Sequence, residues 1–214
     1  MRCFALLAAL LAAFCCETAR ADVIYDVFFR VPGQGDGLGT TFNVLPDQTI
    51  TGVEAVLRET ISGLSTSALA VSNVNGFRID ITVVGSNGAT SGKVTNTAGG
   101  STTDSDSATT FGYFSIAGGR GPSPDVGGVR EFILGTLNFT APTTGATTFS
   151  LVDPNPGLPG DITTLAGPGA NGLEPLGTFR THGVTLQVVP EPNVLLALTF
   201  TSALACIRRR RSQA

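Results

Sequence analysis

The chain has 214 residues, 27 of them Gly and none Trp, and 13 basic against 16 acidic side chains leave a net charge of −3. Residues 22–189 hold 7 of those basic and 14 of those acidic groups, so the central stretch stands at −7 with Lys93 its only lysine. A surface of that sign repels phosphate backbones and excludes nucleic acid as a partner; and because Cys3, Cys15, Cys16 and Cys206 all lie outside it, the stretch has no disulfide framework and no thiolate metal site.

Residues 1–21 carry a short basic start, an apolar run from Cys3 to Cys16, and Ala19-Arg20-Ala21. Small side chains at −3 and −1 are what a signal peptidase accepts, which predicts a cleaved signal helix with Ala19, Ala21 and Asp22 as its processing site. Phe14 stands before Cys15, where a lipoprotein signal would need a small residue. The chain is therefore read as exported, and its partners include signal peptidase and the export machinery.

From Asp22 onward the pattern is strand after strand. In Val23–Val31, Val23, Tyr25, Val27, Phe29 and Val31 share one face at period two, and Phe77, Ile79, Ile81 and Val83 do the same further on. Val53, Ala55, Leu57 and Ile61 give a third strand. There Glu59 is expected to make an exposed cross-strand pair. Thr41–Leu45, Phe111–Ala117, Val129–Phe139, Thr147–Val152, Gly177–Thr181 and Val184–Val189 complete a set of about nine, separated by Gly- and Pro-rich turns. This predicts an all-β chain with a single β-sandwich over 22–188, Ig-like or cohesin-like, with a jelly roll as the rival topology. The stretch LGTLNFTAPTTGATTFSLVD is similar to the closing strands of cohesin-like sandwiches.

Few constellations in this stretch carry chemistry. His182, the sole histidine, reads as a solvated loop residue, and no Gly-x-Ser-x-Gly elbow supplies it with a nucleophile. Glu54, Glu59, Glu131 and Glu174 are the carboxylates from which a glycosidase pair would be drawn, without a pattern that gathers them. Asp104, Asp106, Asp153 and Asn155 are weak calcium candidates, and a twelve-residue calcium loop starting at Asp153 fails because Leu158 and Thr164 occupy its key positions. No metal site or cofactor is predicted. Tyr25 and Tyr113 fall inside strand patterns and read as buried, leaving no aromatic platform for sugar. Asn138-Phe139-Thr140 matches a glycosylation sequon that arises easily by chance.

The end of the chain is different in kind. Val189-Pro190-Glu191-Pro192 precedes an uncharged run from Val194 to Ile207 and then Arg208, Arg209, Arg210 and Arg211. As a helix the run spans about 21 Å, shorter than a hydrocarbon core of roughly 30 Å. The arginines reach the headgroups and are retained on the cytoplasmic side. The two prolines keep the backbone before the helix extended, as a protease cleft requires. Motif, apolar helix and basic cluster, in that order at 189–214, resemble the PEP-CTERM sorting signal of exported bacterial proteins. The resemblance implies a transmembrane helix at 194–207 that tethers a precursor to the inner membrane. It also implies exosortase as partner, cleavage near the Pro-Glu-Pro motif, and delivery to the cell surface or extracellular matrix. On this reading the sandwich is non-enzymatic, with a structural or adhesive task. A module binding extracellular polysaccharide or calcium, and a secreted hydrolase, are the alternatives.

Overall fold

The computed structural model describes residues 22–63, 66–72, 74–95, 101–104, 110–115, 123–154, 163–165 and 172–189, with backbone alone at 95, 101–104, 110–115 and 163–165. The described residues form two β-sheets with one α-helical turn and one 3-10 turn between strands. In chain order the strands are β1 Val23–Val31, β2 Gly35–Gly37, β3 Thr41–Val44, β4 Thr49–Ile61, β5 Val74–Gly85, β6 Ala89–Thr95 and β7 Ser101–Asp104. They continue with β8 Thr110–Ser115, β9 Val129–Thr140, β10 Ala146–Val152, β11 Thr163–Leu165, β12 Thr178–Thr181 and β13 Gly183–Val188; the helical turn α1 is Ala68–Val71. That is more strands than the hydrophobic alternation predicts. The additional ones, β2, β6, β7 and β11, are polar or very short and show no apolar period.

One sheet runs β12-β1-β4-β9-β6, and the free side of β1 is shared, β12 pairing with Ile24–Val27 and β2 with Phe29–Val31. The other runs β3-β13-β10-β5-β8-β7, with β11 on the first part of β5. We call them sheet A and sheet B. Their inner faces close one core. Tyr25, Val27 and Phe29 of β1 and Leu137 and Phe139 of β9 meet Ile79 and Ile81 of β5, Phe149 and Leu151 of β10, and Val184 and Leu186 of β13. Phe139 sits at the junction, stacked on Phe149 across the sheets (centroids 4.2 Å) and edge-on to Phe29 (4.9 Å). Each buried aromatic of this kind contributes about 3–5 kcal/mol against Ala.

Two sequence expectations are corrected by the fold. Val83 is 39 % exposed: it stands opposite Phe149 of β10, but on the other side of β5 the pairing with β8 stops at Asp80. Glu59 is fully buried, not an exposed partner. It holds the inward position that period two gives it after Val53, Ala55 and Leu57, and it is satisfied there by neutral donors. The Tyr25 hydroxyl donates to it at 3.2 Å, the Ser67 hydroxyl donates to it closely, and the Ala68 and Leu69 N–H groups at the start of α1 donate at 2.9 and 3.4 Å. Burial, then the Glu59 charge and hydrogen bond, push the Tyr25 phenol well above its ordinary value. Removing the carboxylate would strand these donors, at about 1–3 kcal/mol each.

Candidate functional site

The largest network of charged side chains among the described residues lies on the outward face of sheet A. On β1 the core takes Tyr25, Val27, Phe29 and Val31, so alternation sends Asp26, Phe28 and Arg30 outward. Glu54, Val56 and Arg58 of β4 lie opposite them, in the pairs Arg30 with Glu54, Phe28 with Val56, and Asp26 with Arg58. On β9, Glu131 stands opposite Arg58, Ile133 opposite Val56 and Thr136 opposite Glu54. The result is three rows across the strands: two charged, with an apolar one between.

The arginines cross that apolar row from both sides. Arg30 donates to Asp36 of β2 at 2.8 Å and reaches over to both oxygens of Glu131 at 2.7 and 2.8 Å, with Glu54 at 3.4 Å. Arg58 reaches the opposite way to Asp36, and donates to Glu131 at 2.9 and 2.6 Å. Between them lies Phe28, with the Arg58 guanidinium 4.5 Å and that of Arg30 5.8 Å from its ring centre. Phe28 and Val56 are thereby fully buried although neither belongs to the central core. Partial burial works against each charge. The hydrogen bonds outweigh it, holding Asp36 and Glu131 below the ordinary carboxylate range and the arginines above theirs.

His182 joins the same face, and here too the sequence expectation is corrected. It is the single residue between β12 and β13, where the chain passes from sheet A to sheet B. Its Nε2 lies 2.7 Å from Asp26 Oδ1, its N–H donates to the Val27 carbonyl at 2.8 Å, and its own carbonyl accepts from Leu151 at 3.4 Å. It is a cross-brace, not a solvated loop residue.

The four carboxylates considered for glycoside cleavage are dispersed. Glu54 and Glu131 converge, but on the guanidinium of Arg30; Glu59 is inside the sandwich, and Glu174 opens the 3-10 turn Glu174–Leu176. Of the calcium candidates, Asp104 has its backbone in β7 opposite Tyr113 of β8, Asp153 follows β10, and Asp106 and Asn155 lie outside the described residues. Among the described residues no group of three or more His, Cys, Asp or Glu could hold a metal ion. Tyr25 is buried, as alternation predicts, while the Tyr113 side chain is outside the described part. Asn138 is held between two bulges: its Oδ1 accepts from the Gly52 N–H at 3.3 Å, and a Cβ on Gly92 would come within 2.5 Å of its Nδ2.

Asp22 donates its N–H to the Ser62 hydroxyl at 3.3 Å and accepts from the Ser62 N–H at 3.0 Å. At the other end, the Val189 N–H donates to the Val44 carbonyl at 2.9 Å. Ala19, Ala21, Pro190, Glu191, Pro192, Arg208, Arg209, Arg210 and Arg211, with both predicted helices, lie outside the described residues. No helix among the described residues is long and apolar enough to cross a membrane.

Sequence reasoning missed Asp26, Asp36, Arg30 and Arg58. The signal was partly present, since alternation that buries Tyr25, Val27 and Phe29 must turn Asp26, Phe28 and Arg30 out. The partners depend on register, which the sequence does not display.

No protein-family model and no curated protein sequence matches the chain. Among solved structures it is similar to a chain of the CaDoc0917–CaCohA2 complex at pH 5.5, at 14% identity and TM-score 0.38, over 78% of this chain and 99% of that one. It is also similar to a chain from the complex of the sixth cohesin of Acetivibrio cellulolyticus scaffoldin B with a mutant Cel5 dockerin, at 11% identity and TM-score 0.32, over 79% and 99% of the two chains.

Proposed function

We propose that this chain is an exported, non-enzymatic β-sandwich protein of the cell envelope or extracellular matrix, with a structural or adhesive task, and that 189–214 is an exosortase sorting signal. The observation that carries the reading is the order of parts. A signal-type segment at 1–21 comes first, then an acidic stretch without cysteine at 22–189, then Pro190-Glu191-Pro192, the apolar run 194–207 and Arg208 to Arg211. An uncharged helix too short for a permanent anchor, closed by four arginines, suits a tail that is held only until it is cut.

Two features of the folded part support it. Asp22 and Val189, the residues next to the two expected processing points, are each tied into the sandwich by backbone hydrogen bonds. Cleavage on either side would therefore leave the sandwich complete. The charged groups on sheet A, moreover, are spent on one another, with arginines clamping the carboxylates that acid–base chemistry would need.

Mass spectrometry of the mature protein from its own host, reading both termini, tests the proposal. The expected result is an N-terminus at Asp22 and a C-terminus at or near Pro190–Pro192. An intact Ala214 end would make the tail a short anchor and overturn the sorting claim.

A further inference from the structure

The outward charges of sheet A form a pattern that the sorting reading does not use. Read across β12, β1, β4 and β9, one row is Arg180, Asp26, Arg58, Glu131, alternating in sign. Read across β2, β1, β4 and β9, the other charged row is Asp36, Arg30, Glu54, Thr136. Consider a second copy laid face to face, related by a two-fold axis that runs along the strands midway between β1 and β4. The operation exchanges β1 with β4 and β12 or β2 with β9. It sets Arg30 against the second copy's Glu54, Asp26 against its Arg58, and Arg180 against its Glu131. By register every charged position but Asp36 then faces one of opposite sign, and Asp36 faces a threonine; the Arg30 and Arg58 heads, which bond Asp36 and Glu131 within one copy, would share those bonds with the second. A two-fold operation requires this kind of self-complementarity of a patch that binds itself.

We propose that the outward face of sheet A is a homodimer contact, the occupant being a second copy of this chain. Charge argues for the same partner. The stretch 22–189 stands at −7, so two copies repel through most of their surface. This face, by contrast, nearly balances: three arginines (Arg30, Arg58, Arg180) stand against four carboxylates (Asp26, Asp36, Glu54, Glu131), and His182 sits on Asp26. The axis also fixes orientation. Rotation about a line along the strands leaves both copies pointing the same way, so both Val189 residues leave from the end where Val44 holds them. Two copies attached to one surface by their C-terminal ends could make the contact side by side. The contact does not depend on how the tail is processed.

Four strands about 4.8 Å apart and seven residues at about 3.3 Å give a plane of roughly 450 Å² per copy. That places the dimer at the weak, transient end of specific interfaces, with a Kd on the order of 10 µM or more. Confinement to one surface would raise its occupancy through effective concentration.

Sedimentation equilibrium of the full chain in density-matched detergent tests the proposal. Wild type should dimerise at about 0.05 M salt and dissociate at about 1 M. Arg30→Glu and Glu54→Arg each place like charges across the axis and should raise Kd at least ~10-fold. Mixed together they should form heterodimers, because Glu at 30 then faces Arg at 54 in one contact and the native Glu54 faces the native Arg30 in the other. That rescue cannot come from changes within one chain. Should Arg30→Glu fail to fold, Arg180→Glu, at an exposed position on β12, should still weaken the dimer at least ~10-fold. A wild-type chain monomeric to about 1 mM at low salt, a Kd unmoved by Arg180→Glu, or folded single variants that do not pair when mixed would each overturn the assignment.

Discussion

The two outward faces of the sandwich follow the same alternation and make different things of it. Sheet B turns out Arg78 and Asp80 on β5 and, around them, the uncharged Thr41, Asn43, Thr82, Thr148, Ser150, Thr185 and Gln187, with the Thr148 and Thr185 hydroxyls 2.8 Å apart. Its outward apolar side chain on β5, Val84, is 67 % exposed. Sheet A turns out Phe28 and Val56, and both are fully buried. The difference lies in the side chains beside the apolar one: Val84 stands opposite Thr148, while Phe28 lies under Arg30 and Arg58. Threonine cannot reach across a neighbouring row, whereas arginine can lay its stem and guanidinium over an aromatic ring and still find carboxylates beyond it. Sheet A therefore carries a second small core outside the first, roofed by ion pairs. Sheet B carries a solvated skin.

The sharpest way to break this contrast is to empty the roofed strip. Phe28→Ala should cost about 3–5 kcal/mol, as much as a substitution in the central core, measured by urea unfolding of the full chain. A loss below about 1 kcal/mol would mean that the ring is a surface residue like Val84.

Arg58→Met comes next. It keeps the stem over Phe28 and removes the cation and its bonds to Asp36 and Glu131. The expected loss is about 1–2 kcal/mol at low salt. It should shrink in about 1 M NaCl, where the wild-type pairs are already screened. A loss that ignores salt would assign the stabilisation to packing alone.

The pH profile sharpens the same point. Asp36 and Glu131 have folded-state pKa values below their unfolded ones, so their contribution is complete above the ordinary carboxylate range, near pH 4, and is lost as pH falls through the depressed values. Wild-type melting should therefore drop steeply below about pH 4, and Arg58→Met should flatten that drop. Tyr25 acts in the opposite sense. Its pKa is raised by burial and by Glu59, so its contribution is whole below about pH 10 and is lost as pH rises beyond. An acid limb unchanged in Arg58→Met would detach these carboxylates from the roof.

The limits of sequence reading follow the same physics. The period-two signal in Val23–Val31 and in Phe77–Val83 is a consequence of one buried face, so the sandwich and most of its inner residues could be read directly. Glu59 was legible in position and misread in fate. Alternation pointed it inward, but its satisfaction comes from Ser67 and the start of α1, a turn that no local pattern announces. The roof over Phe28 was less legible still. Arg30 and Glu131 are 101 residues apart, and only the pairing of β1, β4 and β9 brings them within 2.7 Å. Register is set by the bulges and turns of the whole sheet, including the shift between Ala55 and Val56, and a single residue of slip would have sent these groups to the core face. The strands β2, β6, β7 and β11 escaped because their sequences are too polar or too short to show an apolar period.

The smallest expected effect belongs to sheet B. Thr148→Val keeps the β-branched shape that suits a strand and removes one hydroxyl from a pair that water can replace. Its cost should be about 0.5 kcal/mol or less, by the same urea measurement that reads Phe28→Ala. The two numbers test one statement. If Thr148→Val instead costs more than about 1.5 kcal/mol, the hydroxyl row is a structural network, and sheet B holds its outer face together by hydrogen bonds as sheet A does by charge. The contrast between the faces would then lie in the chemistry of the roof, not in whether there is one.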